Sequence, residues 1–337
     1  MKKVSGRIRP LSKTGIINVN KPADWTSHDC VAVMRRTLGI KRVGHTGTLD
    51  PMATGVLPIC VGTATRIMEY LDLDFKTYRC EMRLGLESDT LDIWGTIVSE
   101  QDPSGVTETE IRKAFQPFKG MISQIPPKYS ALKVDGKKLY QYARAGETVE
   151  IKPRDVFIRN IAVEQVDLES HRILWNVTCS KGTYIRSICR DIGRALGCGA
   201  VMTALTRTAS GVFQIEDAVD IRQIREMGQE EAERLLLSPD HPLTHFGKGL
   251  LDKETALYFC NGGHVSLKDV CIEREPLYRE QEPHIPVREE YRNAYNLYCG
   301  EKGQEIFLGV AFYSSKYKKL VADKILQRIE HENFQFT

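Results

Sequence analysis

One aspartate, Asp50, stands in a stretch of sequence whose composition suits a rigid loop. Residues 44–57 read Gly-His-Thr-Gly-Thr-Leu-Asp-Pro-Met-Ala-Thr-Gly-Val-Leu, and an apolar run continues to Val61. Glycine adopts backbone angles that are closed to other residues and lets a ligand approach the main chain. Pro51 restricts Asp50 to extended or turn conformations. A carboxylate fixed in such a loop can act on a substrate as a nucleophile or as a base.

The same residues also have a simpler interpretation. Asp-Pro in a stretch rich in Gly and Thr is usually a turn in which the carboxylate accepts a backbone N–H. Asp50 and its glycines, taken alone, favour that turn. The whole string favours a functional loop over a simple turn, because it resembles, without a gap, the signature loop of the TruB-type pseudouridine synthases. These enzymes modify uridine 55 in the T arm of tRNA, and the resemblance implies that Asp50 is the catalytic nucleophile.

Two further motifs resemble the same family. Residues 76–78 read Lys-Thr-Tyr at the head of an alternating stretch. A lone strand tyrosine is by default a core residue, but the resemblance implies that Tyr78 stacks on the target uracil and is essential. Residues 180–186 read Ser-Lys-Gly-Thr-Tyr-Ile-Arg. A guanidinium in a pocket can keep a carboxylate ionised, and the resemblance implies that Arg186 pairs with Asp50.

The resemblance assigns four more residues to substrate binding: His45, Tyr184, Leu205 and Lys21. Without it, His45 would be interpreted as a surface or capping residue and Leu205 as a core residue. Lys21-Pro22 matches the first family motif, for which a structural role is also expected. The chain has no His-x-x-x-His pair and no P-loop or dinucleotide-binding motif. We expect no metal and no cofactor, because moving uracil from one ring atom to another involves no net redox change.

A segment rich in lysine and tyrosine lies between residues 124 and 150. Residues 125–140 read Ile-Pro-Pro-Lys-Tyr-Ser-Ala-Leu-Lys-Val-Asp-Gly-Lys-Lys-Leu-Tyr. The pattern is compatible with a solvated hairpin, and equally with a surface that binds the phosphate backbone and unstacked bases of a nucleic acid. The segment resembles the RNA-gripping thumb insertion of TruB-type enzymes. This resemblance implies that the partner is the T-arm stem-loop of tRNA.

The elements around these motifs predict an α+β fold. Alternating or apolar stretches at 15–20, 77–84 and 172–179 predict strands. Capping signals predict one helix between Thr26 and Gly39 and another from Thr107 to Phe115. A further helix buries Ile185, Ile188, Cys189 and Ile192 and ends at Gly197. We therefore expect a mixed or antiparallel central sheet with packed helices, which the resemblance identifies as the pseudouridine synthase fold.

A change of composition near residues 239–249 predicts a domain boundary. We expect a catalytic domain over residues 1–240 and a small C-terminal β-barrel over 249–337, which resembles a divergent PUA domain that binds RNA. A short helix at 254–259 and strands at 294–299 and 305–312 are predicted in it. Residues 273–292 are charged and contain three prolines. They are expected to form a solvated, mobile loop.

Composition excludes several classes of protein. The 337 residues are 42% apolar and 27% charged, as in an ordinary globular chain. We find no run of about 18 apolar residues and no signal peptide, and the net charge of +3 does not by itself indicate nucleic acid. The nine cysteines are scattered and form no Cys-x-x-Cys. They are expected to be reduced thiols of a cytoplasmic, monomeric protein without a membrane or protein partner.

The sequence thus predicts an RNA-modifying isomerase. Uridine 55 would be flipped out of the T loop, and uracil would be detached in a step that depends on Asp50 and rejoined through C5. Attack on the sugar, attack on the base and removal of the 2′ proton all stay open. A guide-RNA-dependent enzyme is an alternative, although residues 52–55 resemble the bacterial stand-alone form. A non-catalytic tRNA-folding protein is another, which would not require Asp50, Tyr78 and Arg186 together.

Overall fold

The chain folds into two main β-sheets with helices packed on the larger one. The computed structural model describes residues 7–9, 13–71, 75–277, 289–301 and 303–330. The strands in these ranges are β1 (Arg7–Arg9), β2 (Gly15–Lys21), β3 (Val43–His45), β4 (Thr54–Val61), β5 (Lys76–Leu84), β6 (Leu86–Ser88), β7 (Ile97–Glu100), β8 (Gly120–Gln124), β9 (Lys133–Val134), β10 (Lys137–Lys138), β11 (Arg154–Asp167), β12 (Arg172–Cys179), β13 (Ala200–Ser210), β14 (Phe213–Gln214), β15 (Val219–Asp220), β16 (Gly247–Leu251), β17 (Val265–Ser266), β18 (Val270–Arg274), β19 (Ala294–Cys299), β20 (Ile306–Ser314), β21 (Lys319–Ile325) and β22 (Arg328–Glu330).

The helices are shorter elements between these strands. They are α1 (Ser27–Leu38), α2 (Met68–Leu71), α3 (Glu108–Phe115), α4 (Leu139–Arg144), α5 (Ile185–Ala195), α6 (Ile221–Glu226), α7 (Gln229–Glu233) and α8 (Lys253–Cys260). None in the described ranges is both long and apolar enough to cross a membrane.

The larger sheet is mixed. Its strands run in the order β15-β2-β4-β13-β5-β12-β11-β8, with β3 paired to β4 and β14 paired to β13. Most pairs are antiparallel, whereas β13 runs parallel to β4 and β15 runs parallel to β2. This arrangement confirms the predicted α+β class with a mixed central sheet. It also brings the end of the signature loop, at the start of β4, next to β13.

Local sequence accounts for the elements that carry the site. Thr26 caps α1 and forms a capping box with Asp29, and Gly39 ends the helix in the left-handed conformation at φ 63°. Thr107 caps α3 in the same way. Alternate residues of β5 are buried, including Tyr78, as the pattern predicts. These helices and strands match their predicted positions to within a residue or two.

The main core lies between the central sheet and its helices. Helix α5 buries Ile185, Ile188 and Ile192 against the sheet, and the chain turns after it at Gly197 with φ 78°. Trp175 of β12 is fully buried and meets Phe115 of α3 edge to face, with ring centroids 5.3 Å apart. The helix that carries Arg186 is thereby fixed to the strands beneath it.

The smaller sheet forms a curled half-barrel at the C-terminal end. Its six strands run in the order β17-β21-β20-β19-β16-β18. The predicted helix at 254–259 corresponds to α8, and the two predicted strands correspond to β19 and β20. Residues 278–288 of the charged segment 273–292 lie outside the described residues. The division at residues 240 and 249 and the PUA assignment stay predictions.

The two sheets share a second apolar core. Ile16, Val56 and Cys60 from the central sheet pack with Phe246 and Val310 from the C-terminal part of the chain. Tyrosine–carboxylate hydrogen bonds border this core: Tyr70 to Asp323, and Tyr298 to Asp240 at 2.7 Å. Strand β1 also pairs with β22, which the division at residue 240 does not foresee. Residues 7–9 are therefore paired with a strand of the C-terminal part.

Replacing Phe246 tests this shared core. Phe246 is 1% exposed and meets Tyr70 edge to face, so Phe246→Ala is expected to cost about 3–5 kcal/mol of the free energy of unfolding. Leu277→Ala is the control, because that side chain is 61% exposed and should change stability by less than about 0.5 kcal/mol. Urea unfolding measures both. A cost below about 1 kcal/mol for Phe246→Ala would show that the two sheets do not depend on this contact.

Candidate active site

A cavity of about 590 Å³ opens beside the signature loop. Its walls are the loop, the N-terminal end of β5, the middle of β13, the start of α5 and residues 130–132. Five of the seven predicted site residues line it: Asp50, Tyr78, Tyr184, Arg186 and Leu205. The other two are not in its wall: His45 is itself a residue of the signature loop, and Lys21 donates to the carbonyl oxygen of Pro51 in that loop.

The carboxylate of Asp50 is paired with the guanidinium of Arg186. Nη2 of Arg186 lies 2.9 Å from Oδ2 of Asp50. The Arg186 side chain is 8% exposed and the Asp50 side chain 44% exposed, so the cation is enclosed while the carboxylate still faces the cavity. A bond of this kind favours the ionised form of a carboxylate. The pair that the resemblance implied is therefore present in the geometry.

Three further groups bind the same guanidinium, and the sequence analysis missed all of them. Arg186 donates to the carbonyl oxygens of Thr90 (2.9 Å) and Tyr129 (3.0 Å), and its Nη1 lies 3.4 Å from Oδ2 of Asp92. Asp92 belongs to the turn between β6 and β7, where a polar residue gives no sequence signal of its own. Arg in a first helical turn opposes the helix dipole, and these acceptors compensate for its position.

A buried lysine holds the signature loop from below. Lys21 is fully buried, and its Nζ donates to the carbonyl oxygens of Pro22 (2.9 Å), Trp25 (2.6 Å) and Pro51 (3.1 Å). Burial lowers the pKa of Lys21 from its ordinary value. These contacts fit the structural role expected from its motif. The substrate-binding assignment of Lys21 stays a prediction.

The start of α1 also holds the loop. The hydroxyl of buried Ser27 accepts from the backbone N–H of Leu49 at 2.9 Å and lies 3.2 Å from its carbonyl oxygen. Leu49 precedes Asp50, so this contact fixes the backbone next to the carboxylate. Nothing in the local sequence of Ser27 indicates a bond to a residue so distant in the chain.

His45 lies at the end of β3, within the signature loop. Its Nδ1 accepts from the backbone N–H of Gly47 at 3.3 Å, and its ring is 5.9 Å from that of His28. Burial above all, then the charges of His28 and Arg207, lowers the pKa of His45 to about 4. The imidazole is therefore neutral at pH 7. Its predicted contact with substrate stays a prediction.

Two aromatic residues and one leucine complete the apolar part of the cavity. Tyr78 and Leu205 come from neighbouring strands and are 8% and 9% exposed. Burial raises the pKa of the Tyr78 phenol above its ordinary value. Tyr184 directly precedes α5, and the side-chain amide of Gln124 bonds its backbone N–H (2.8 Å) and its carbonyl (3.0 Å). Gln124, the last residue of β8, was not predicted.

Arg207 is a further cavity residue that the sequence analysis did not identify. It is 1% exposed, and its Nε donates to the carbonyl of Val56 at 2.6 Å and its Nη2 to the carbonyl of Gly47 at 3.2 Å. The alternation of β13 places it on the same face as Leu205, two residues earlier. That spacing was the signal available from the sequence.

The arrangement can bind and attack a flat, neutral ring. A half-exposed carboxylate, a buried phenol and an apolar leucine surround one space, and a buried guanidinium holds the carboxylate. No group of three or more metal-ligating side chains lies together in the part of the chain that the structure describes. All nine cysteines are free, and six of them are buried.

Comparisons with known proteins agree on one family. Residues 35–185 match the model of the TruB family pseudouridylate synthase N-terminal domain, and residues 186–244 match the tRNA pseudouridylate synthase B C-terminal domain. The tRNA pseudouridine synthase B of Alkaliphilus oremlandii is 45% identical over 251 residues, which is 74% of this chain and 82% of that protein. The enzyme of the same name from Clostridium tetani is 44% identical over 255 residues, covering 76% and 86%.

Solved structures support the fold. A chain in a structure of an H/ACA RNP bound to a substrate RNA containing 2′-deoxyuridine superposes with a TM-score of 0.67 at 21% identity, over 93% of this chain and 84% of that one. A chain of a Cbf5-Nop10-Gar1 complex gives a TM-score of 0.67 at 22% identity, over 98% and 91%. At this level of identity the likeness concerns the fold alone.

Gly55 tests how closely the signature loop must approach β13. Its φ is 101°, and a Cβ at this position would lie 2.2 Å from the carbonyl oxygen of Arg207. Gly55→Ala is therefore expected to cost at least about 2 kcal/mol, because both the backbone angle and the contact are unfavourable. Gly105→Ala is the control, since nothing lies within 4 Å of a Cβ there. Urea unfolding measures the stability of both variants. Equal stabilities would contradict the close approach of Gly55 to β13.

The lowered pKa of His45 predicts how the stability of the fold depends on pH. An unfolded histidine titrates near 6.5, whereas His45 in the fold titrates at about 4. The unfolded chain then binds more protons than the fold between these values, so the contribution of His45 to stability is lost as pH falls from 6.5 towards 4. His45→Asn should remove that part of the pH dependence. The imidazole resonance of His45 is identified by NMR as the one that is absent from the variant. If that resonance titrates near 6.5 in the parent chain, the prediction is contradicted.

Proposed function

The chain belongs to the TruB family of pseudouridine synthases, and on that premise we propose that it converts uridine 55 in the T loop of tRNA to pseudouridine without a guide RNA. The observation that carries the proposal is the ion pair of 2.9 Å between Arg186 and Asp50 at the mouth of a cavity that also contains Tyr78. The carboxylate is held in place and accessible. The relatives named above are tRNA pseudouridine synthases B, which supports the choice of tRNA.

The proposed reaction rearranges one nucleotide. The bond from N1 of uracil to C1′ breaks, the base turns, and a bond from C5 to C1′ forms. C5 loses its proton and N1 gains one, so atoms and electrons balance without a cofactor. Asp50 initiates the cleavage by attack on the sugar, by attack on the base or by removing the 2′ proton. Arg186 holds that carboxylate in position through the ion pair, and Tyr78 stacks on the base and takes part in removing the C5 proton.

The substrate has to reach an enclosed cavity. The target nucleotide lies within a folded loop of RNA, and flipping it out costs a few kcal/mol of unstacking. In this proposal Leu205 and Tyr184 contact the flipped uracil, and His45 and Lys21 support substrate binding by holding the signature loop. The apolar wall and the neutral imidazole suit an uncharged base.

The lysine- and tyrosine-rich segment at about 124–150 is the proposed RNA-binding element. Residues 130–132 form part of the cavity wall, which makes the segment continuous with the site. Beyond them, Nζ of Lys137 lies 4.4 Å from the ring centre of Tyr142, and Nζ of Lys138 lies 5.6 Å from that of Tyr140. Cations next to aromatic faces suit a phosphate backbone with unstacked bases. This arrangement supports tRNA as the partner.

The proposal extends to the organisation of the whole chain. Residues 1–240 would be the catalytic domain, with the thumb at about 124–150, and residues 249–337 a PUA-like domain that adds RNA contacts. The protein would act as a monomer in the cytoplasm. Neither a metal nor a protein partner is needed for the chemistry proposed here.

Asp50→Asn tests the proposal on an unmodified T-arm stem-loop RNA. The amide keeps the shape but loses the charge and the nucleophile, so pseudouridine formation should fall at least about 1,000-fold. Asp102→Asn is the matched control, because that carboxylate is exposed and bonds only Ser104. Carbodiimide treatment and primer extension map the product. Full activity of Asp50→Asn would overturn the assigned nucleophile.

The same assay separates the alternatives. Modification of naked RNA by the parent chain supports the stand-alone enzyme. Modification only after a guide RNA is added would instead support the guide-dependent class. Tight binding with no pseudouridine in either condition would support an RNA-folding protein and overturn the enzymatic proposal.

A further inference from the structure

One buried cation of the cavity, Arg207, lies directly opposite Tyr78. The two residues are Cα partners in the antiparallel pairing of β13 with β5. Directly opposed residues of such a pair present their side chains on the same face of the sheet. Both side chains line the cavity that contains Asp50. On its other side Arg207 is the Cα partner of Gly55 in β4, so it stands between the strand of Tyr78 and the signature loop.

The hydrogen bonds of Arg207 leave part of its guanidinium unused. Nε and Nη2 donate to the carbonyl oxygens of Val56 and Gly47, whereas the buried Nη1 makes no such bond within the described part of the chain, and the guanidinium interacts with the side chain of Tyr78. No carboxylate of the described residues forms an ion pair with it; Asp50 is paired with Arg186 instead. Burying a charge without a counter-ion is costly. The two carbonyl oxygens that accept from Arg207 could be bonded by a neutral donor, so they do not explain why a charged side chain stands at this position.

We propose that Arg207 is a positioning residue whose positive charge is directed at the oxygen of Tyr78, so that the phenol can lose its proton and act as the base for C5. The inference rests on the proposed function, because that reaction is what requires a base near C5. It adds to that function a residue outside the motifs from which the site was predicted.

The surroundings of the phenol explain why a cation is needed there. Burial raises the pKa of Tyr78, and the neighbouring Cys179 of β12 and Asp50 of the signature loop raise it further. Arg207 of β13 is the strongest influence in the opposite direction. Arg186 of α5 and Lys76, on the same strand as Tyr78, also line this cavity. Arg186 is already engaged by the acceptors described above.

The proton transfer balances with groups already present. The phenol first releases its proton to water, which leaves a phenolate opposite the Arg207 guanidinium. After C5 has joined C1′, the phenolate oxygen takes the C5 proton, and the electrons of the C5–H bond return to the uracil ring. Tyr78 is then a neutral phenol again and exchanges its proton with water. N1 of the product gains its proton from solvent.

A direct test measures the acidity of the phenol. The residue 3,5-difluorotyrosine is placed at position 78, and its ¹⁹F resonance is followed against pH in the full-length chain with Arg207, Arg207→Lys or Arg207→Gln. The titration midpoint in Arg207→Gln should lie about one to three pH units above the midpoints in the two chains that keep the cation. Equal midpoints in Arg207→Gln and the parent chain would overturn the proposal.

Folding is controlled with the same set of proteins. Arg207→Lys removes the planar guanidinium but keeps the positive charge. It therefore separates loss of the hydrogen bonds to the carbonyl oxygens from loss of the charge. Arg207→Met is the second neutral variant and replaces Arg207→Gln if that chain does not fold, as judged by circular dichroism. A midpoint in Arg207→Lys that rises as far as in the neutral variants would also count against a role for the charge.

Catalysis provides an independent readout. At neutral pH, below the pKa of Tyr78, the neutral variants should form pseudouridine about 10- to 1,000-fold more slowly in single turnover. The more acidic difluorotyrosine should restore part of that rate in the variants, whereas a purely structural role predicts the same loss with either phenol. If the parent chain forms no pseudouridine at all, the proposed function fails, and the ¹⁹F titration still decides the electrostatic role of Arg207.

Discussion

The ion pair between Asp50 and Arg186 is the contact on which the site depends. It joins a loop near the start of the chain to the first turn of α5, and the enclosed guanidinium has further bonds to the turn after β6 and to the segment after β8. Because the donors of a guanidinium lie in one plane at fixed angles, these four elements have only one mutual arrangement that satisfies all the acceptors. The cavity is the space that this arrangement leaves open.

Buried cations give the signature loop its shape. Lys21 and Arg207 are almost inaccessible to solvent, and both donate mainly to backbone carbonyls rather than to carboxylates. This keeps Asp50 available, since a second cation in contact with it would compete with the substrate for the same oxygens. The cost of desolvating these charges is offset by several hydrogen bonds each and by the conformation that they impose on a glycine-rich segment.

The sequence predicts the elements of this fold better than the contacts between them. The caps of α1 and the alternation of β5 depend on neighbouring residues, so they are visible locally and were predicted. Asp92, Gln124 and Arg207 act through contacts with residues far away in the chain. Asp92 and Gln124 have no distinctive local pattern, and the only local signal for Arg207 is its spacing of two residues from Leu205. The pairing of Arg186 with Asp50 was anticipated only because two motifs resemble one family. The prediction of a solvated loop over 273–292 is wrong at its described ends, because Glu273 and Arg274 belong to β18 and Tyr291 is buried in the second core; residues 278–288 lie outside the described residues.

The shared core behind β4 has a consequence for how the protein is made. One face of β2 and β4 belongs to the main core, and the other face packs with residues of 64–71, with Phe213 and with residues from Leu243 onwards, of which Val310 and Leu326 are among the last. During synthesis the signature loop therefore leaves the ribosome long before many of the residues that support its strand. Contacts so distant in sequence form slowly, because a long chain segment must first be closed. The face of β4 opposite the main core is therefore fully covered only after residues as far as Leu326 have been translated.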